Sequence, residues 1–165
     1  MKKIFTVLFL TLSFGAFAQV KLGHINSADL LRLMPELDSA EQKLQAQSKE
    51  YQAVSQALKT EYENKVSEYQ ANQNQWTDLI KQMRVREIQD LEARIQDYIQ
   101  NAEKDLEEQK NKLFNPIIEK AKAAIAEVAK EHKYSYIFDA TGGMLLYTSE
   151  SDDILSLVKK KLNLK

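Results

Sequence analysis

Side chains able to do chemistry are sparse in this sequence. His24 closes one β-like run and His132 just precedes another, so folding can bring the two imidazoles together. Without a companion carboxylate pair they make a poor metal site, and structural roles are the plainer reading. Asp139, close to Thr141 and Gly142, has the chemistry of a general acid, yet an Asp ahead of Gly more commonly shapes a turn. The 165 residues include no cysteine, which removes thiol catalysis and disulfide stapling together. No nucleophile elbow, phosphate loop or HExxH helix occurs. The chain is therefore read as a non-enzyme that takes no cofactor and no metal.

The elements around those residues are easier to read. Tyr134 to Thr148, YSYIFDATGGMLLYT, is two aromatic and branched runs hinged at Gly142-Gly143, the pattern of a β-hairpin. Val20 to Asn26, VKLGHIN, is a second β-like run near the other end. Between Gly23 and Gly142 there is no glycine, and only Pro35 and Pro116 interrupt a composition rich in Gln, Glu, Lys, Ala and Leu. That stretch predicts helix. Apolar residues recur at Leu37, Ala40, Leu44, Tyr51, Val54 and Leu58. The phase then slips through Tyr62, Val66, Tyr69, Trp76 and Ile80, as a four-residue stutter does in a coiled coil. The 3-4 spacing resumes at Ile88, Leu91, Ile95, Tyr98, Ala102, Leu106 and Leu113. Glu61 with Lys65, Asp90 with Arg94 and Glu108 with Lys112 are spaced as helical ion pairs, acid first.

A single helix of about 98 residues would be roughly 150 Å long. If both β runs belong to one head, the chain must instead go out and return. The arm then covers 35–133, with its tip near 76–86 and each limb about 45 residues, or roughly 65 Å. Pro35 suits the first helical position, and Pro116 predicts a restart or a bend.

Residues 1–18, MKKIFTVLFLTLSFGAFA, carry the pattern of a cleaved secretory signal: Lys2 and Lys3, an apolar core, then Ala16-Phe17-Ala18. The apolar core is about half of what a membrane span needs, and Gln19 is not the cysteine of a lipoprotein signal. Of the 23 basic side chains two lie in that segment, so 21 remain against 24 acidic ones, and no nucleic-acid partner is expected.

The head is expected to comprise 19–34 and 134–165: a strand over 20–26, a short helix near Ser27 to Leu33, the hairpin over 134–148, and a last helix over 152–162. Ser149 or Ser151 would cap that helix, and Lys159, Lys160 and Lys161 would face its dipole. Three short strands bury little and leave edges open, so copies of the chain closing one barrel-like sheet are expected. Val20, Leu22, Ile25, Tyr136, Phe138, Met144 and Leu146 would carry that association.

KLGHINSADLLRLMPE (21–36), the Gln/Glu/Lys-rich arm, LFNPIIEKAKAAIAEVAKEHKYSYIFDATGGMLLY (113–147) and DDILSLVKKKL (152–162) together resemble the Skp/OmpH family of periplasmic chaperones. The resemblance implies a mostly α fold with a small β body. It implies a homotrimer whose β-barrel-like head carries three long antiparallel helical-hairpin tentacles around a cavity. It also implies a periplasmic holdase that keeps unfolded outer-membrane proteins there without ATP. Family members are often strongly basic, and peripheral contact with anionic membranes or lipopolysaccharide goes with that charge. Here residues 36–133 carry 15 basic against 19 acidic side chains, which weakens both expectations.

Within the arm, Tyr51, Tyr62, Tyr69 and Tyr98 suit interhelical packing or client contact, with packing the plainer reading for Tyr51, Tyr62 and Tyr69. Trp76, near the tip where partners run out, is the first choice for touching a client. Lys81, Arg84 and Arg86 form the one basic patch, for which a solvated helix face is the plainer reading. The competing function is a passive periplasmic coiled-coil spacer or adaptor with one fixed partner. Such a spacer would keep an uninterrupted heptad and an anchor, and this chain shows neither.

Overall fold

The computed structural model describes residues 20–164, so the expected signal segment lies outside the described residues. Two strands and four α-helices follow in order: β1 (Leu22–Ile25), α1 (Ser27–Arg32), α2 (Pro35–Asn72), α3 (Asp78–Glu131), β2 (Tyr136–Asp139) and α4 (Leu155–Lys161). Single 3-10 turns lie at Gln73–Gln75, Thr141–Gly143 and Glu150–Asp152.

Each helix begins where its sequence permits. Asn26 caps α1, its side-chain oxygen accepting from the N–H groups of Ala28 (3.1 Å) and Asp29 (3.2 Å). Pro35 opens α2 at its first position, where a missing N–H costs nothing. Thr77 caps α3 through the N–H of Ile80. α3 and α4 end alike. Lys133 and Asn163 take left-handed φ values of 57° and 54°, while Tyr134 and Leu164 donate back to the carbonyls of Ala129 and Lys159 at 2.9 Å, satisfying the last turns.

α2 and α3 form an antiparallel pair joined by the turn at Gln73–Thr77. Cross-arm partners converge on that turn: Glu36 with Lys120, Gln47 with Asp105, Lys65 with Glu87, Glu68 with Arg84. α2 has 38 residues and α3 has 54, or about 57 and 81 Å. The limbs are unequal because α3 continues past the start of α2 and becomes the spine of the head. Ile117, Ala121, Ala124 and Val128 are buried there with Ile25, Leu30, Met34, Ala40, Ile154 and Val158. Residues 117–128, expected in the arm, therefore belong to the head core. α3 also runs unbroken through Pro116, where a restart or bend was expected. The buried face that starts at Ile117 offsets the one backbone bond that proline removes.

β1 and β2 pair in parallel, Leu22 opposite Tyr136 and Ile25 opposite Asp139, with the whole arm as their crossover. The other edge of β1 is also occupied. His24 bridges to Asp153, and the N–H of Ile154 donates to the His24 carbonyl at 3.0 Å. β1 is thus central, and the outer edge of β2 has no ladder partner among the described residues.

Two expectations fail in the head. Tyr134 to Thr148 supplies one strand and not a hairpin. The inner edge of β2 is taken by β1, and Met144, Leu146 and Tyr147 are exposed, so a second strand would gain only a ladder with no packed face beneath it. The last helix begins at Leu155 and not at 152, and neither Ser149 nor Ser151 caps it. They bond each other at 2.7 Å in the preceding turn, and the Asp153 carboxylate accepts from the N–H of Leu155 instead. Lys161, in the final turn of α4, clamps to Glu127 (2.9 Å) and Glu131 (2.6 Å) of α3.

Candidate functional site

Strand alternation divides the head sheet into two faces. Gly23 and Ile25 of β1 and Ile137 of β2 lie toward α3 and the core. Leu22, Tyr136 and Phe138 lie on the opposite face and are exposed, Tyr136 at 63% and Phe138 at 46%, their rings stacked at 6.5 Å. Val20, Met144 and Leu146 extend this exposed apolar set. Of the seven residues expected to carry association, six are therefore uncovered. Ile25 is the exception: at 2% exposure it packs inside its own head, because an odd spacing from Leu22 turns it to the other face.

The sheet is tied to α1 through Asp139. Its carboxylate accepts from the Ser27 hydroxyl (2.6 Å), the Ser27 N–H (3.2 Å) and the Thr141 N–H (2.9 Å). Burial acts to raise its pKa, but the hydrogen bonds from Ser27 and Thr141 outweigh it and hold the value at about 2. Such a group is an ionised structural acceptor at neutral pH, not a proton donor. His24 donates its Nε2–H to the Ser149 carbonyl at 3.0 Å, while the backbone carbonyl of His132 accepts from the Lys21 ammonium. Each histidine thus has a separate structural contact.

Along the arm, Tyr51 and Tyr98 meet edge to face at 6.3 Å. The Tyr51 hydroxyl donates to Asp105 at 2.5 Å, and Gln47 donates to both. Asp105 accordingly raises the Tyr51 pKa, because the phenol's proton is what binds the carboxylate. Tyr62 and Tyr69 are half-buried on the same side of α2. Val54, placed in the stripe by its spacing, is 40% exposed, and Ser55 is half-buried instead. None of the three expected helical ion pairs forms among the described residues. Lys65 reaches across to Glu87, and Glu108 pairs with Lys104.

The tip differs from expectation more than the middle does. Trp76 is half-buried, 6.0 Å from the Tyr69 ring and 5.6 Å from the Arg84 guanidinium, so it has packing partners of its own. Arg84 also pairs with Glu87 (3.0 Å) and Glu68 (3.7 Å), which raises its pKa. Lys81 pairs with Asp78, and of the basic patch only Arg86 has no ion pair among the described residues. The uncovered apolar side chains at the tip are Leu79, Ile80, Met83 and Val85, in the first turns of α3. Their signal was present in DLIKQM, but it reads as ordinary stripe until the turn is known to end at Thr77.

The limbs flank an open groove of about 710 Å³ that runs from Asp38 to Ser48 on α2 and from Glu103 to Phe114 on α3. Leu44, Leu106 and Phe114 are half-buried within it, while Asp38, Glu41, Glu103 and Glu107 stand exposed around it.

Residues 21–162 match the protein family described as Outer membrane protein (OmpH-like). The chain belongs to this OmpH-like family. Its fold matches a crystal structure from Caulobacter crescentus CB15, described as a candidate outer membrane chaperone (OmpH-like). The TM-score is 0.71 at 17% identity, over 86% of this chain and 83% of that one. A search of curated proteins gives no match. Membership accounts for the two long helices carried on a small parallel sheet, and the described helices include none long and apolar enough to cross a membrane.

Proposed function

We propose that this OmpH-like chain is an ATP-independent periplasmic holdase that keeps unfolded outer-membrane proteins between the arms of a homotrimer. The observation that carries the reading is the uncovered head sheet. Leu22, Tyr136, Phe138, Met144 and Leu146 expose apolar surface beside a strand edge that has no partner among the described residues, which a stable monomer would hide. Copies of the chain joined there into a barrel-like body would bury that surface and set several arms around one enclosure. Each arm offers scattered contacts in place of one dry pocket, and arms rooted in a common body supply many weak contacts at high effective concentration. Avidity then substitutes for ATP.

The test dilutes a urea-unfolded outer-membrane β-barrel into buffer with and without the purified chain, following light scattering and complex mass. Suppressed aggregation with a trimeric mass is the expected result. Equal aggregation in both samples removes the holdase reading in favour of a passive spacer. Phe138→Glu should dissociate the trimer and abolish suppression while the arms keep their helical circular dichroism. A Phe138→Glu protein that stays trimeric would displace the interface from this face.

A further inference from the structure

The groove between the limbs joins an apolar floor to an acidic rim. It spans Asp38 to Ser48 on α2, about 15 Å of helix. Glu36 pairs with Lys120 on its head side, and Gln47 and Tyr51 meet Asp105 within its tip-side end. Its floor is apolar and only half-covered, at Leu44, Leu106 and Phe114. Its rim is four carboxylates against one cation, Lys110, which is already paired with Glu107 at 3.8 Å. Asp38, Glu41 and Glu103 have no ion pair among the described residues, so their charge is left facing the groove.

We infer that this groove is a docking site for cationic amphipathic segments of unfolded clients, the apolar side chains seated on Leu44, Leu106 and Phe114 and the Lys or Arg side chains facing the carboxylate rim. An apolar floor alone would accept any hydrophobic segment. The unmatched carboxylates supply the selection, because an anionic segment there would meet like charge at close range. A helical occupant of about ten residues matches the length, with anchors spaced three and four apart. The inference deepens the holdase reading and depends on it for the identity of the occupant, but the groove can be tested separately.

Two labelled peptides of roughly 14 residues, sharing one apolar helical stripe, would carry Lys at the polar positions of one and Glu at those of the other. Fluorescence anisotropy against the purified chain should show the Lys peptide binding and the Glu peptide at least about ten-fold weaker, with the preference lost in high salt. Asp38→Asn, Glu41→Gln and Glu103→Gln together should weaken the Lys peptide roughly ten-fold. A photocrosslinker at Gln45 should capture it. Equal affinity for both peptides, or unchanged affinity in the neutralised triple variant, overturns the assignment. So does a triple variant whose oligomeric mass changes while neither peptide binds, since the groove would then be a contact between copies. Suppression of barrel aggregation, measured on the same samples, separates the two ideas. Suppression without charge preference leaves the holdase and removes the groove, and the reverse leaves the groove and removes the holdase.

Discussion

Head and arm are built from one pair of helices yet hold together by different means. Among the described residues, ten of the twelve buried apolar side chains belong to the head cluster, and the arm beyond it buries only Leu58 and Leu91. In their place the limbs are joined by polar ties: Gln47 and Tyr51 on Asp105, Lys65 on Glu87, Arg84 on Glu68. A core of aliphatic side chains is close-packed and resists deformation, whereas exposed ion pairs contribute little each and exchange readily with water. The difference assigns rigidity to the head and adaptability to the arm.

The largest effect that would sharpen this comparison is a cavity in each region. Ile154 is fully buried between α3, α4 and β1, so Ile154→Ala should cost about 2–5 kcal/mol. Leu58 is nearly as buried, but it lies outside the head cluster, where the two limbs can close on the void. Leu58→Ala should therefore fall near the bottom of that range, about 2 kcal/mol. Urea unfolding followed by circular dichroism measures both. Equal losses at the two sites would mean the arm is as firmly packed as the head.

The same contrast explains what was legible in the sequence. The helical arm, its return, and β runs meeting at one end follow from the absence of glycine, the 3-4 spacing and the two end segments, all local signals. The turn at 73–77 lies a few residues before the expected tip near 76–86, because the limbs are unequal and α3 runs on into the head. Ile117, Ala121, Ala124 and Val128 carry the same 3-4 spacing as the limb before them, so nothing local marks where the partner changes from α2 to the head. The missing second strand of the hairpin is a tertiary outcome too. Met144 and Leu146 have strand-like spacing, but spacing does not supply a surface to pack on. The packing partners of Trp76, Tyr69 and Arg84, come from both sides of a turn whose geometry the sequence leaves open.

Gly23 offers a finer test of head rigidity. A β-carbon built there would lie 2.9 Å from the Tyr134 ring and 3.0 Å from Ile137, closer than side-chain contacts tolerate. Gly23→Ala should cost about 1–3 kcal/mol by forcing β1 away from β2. A variant that matches the parent in its urea midpoint would show that the sheet yields as the arm does.

Acid should loosen the head through Asp139 before it disturbs most of the core. The folded carboxyl titrates at about 2, below its ordinary 3.8, so the unfolded chain binds its proton first as pH falls. The stabilisation from Ser27 and Thr141 is thus complete above about pH 5 and drains away between about pH 4 and 2. The site is partly exposed, so solvent screening limits the effect to about 1 kcal/mol. Asp139→Asn should flatten that part of the stability profile, and a variant with the parent's acid slope would place the titrating group elsewhere.

The smallest effect concerns the polar tie that replaces a core in the arm. Tyr51→Phe keeps the edge-to-face contact with Tyr98 and removes only the hydroxyl that Asp105 accepts from. Gln47 still donates to Asp105 at 2.8 Å, so the carboxylate is not orphaned and the global cost should be about 0.5–1 kcal/mol. Its location is more telling than its size. Amide exchange should quicken between roughly 44 and 55 on α2 and opposite them on α3, while the head amides keep their protection. If protection fell evenly from Leu30 to Val158, the arm and head would unfold as one unit, and packing density would not divide this molecule into a rigid body and a yielding limb.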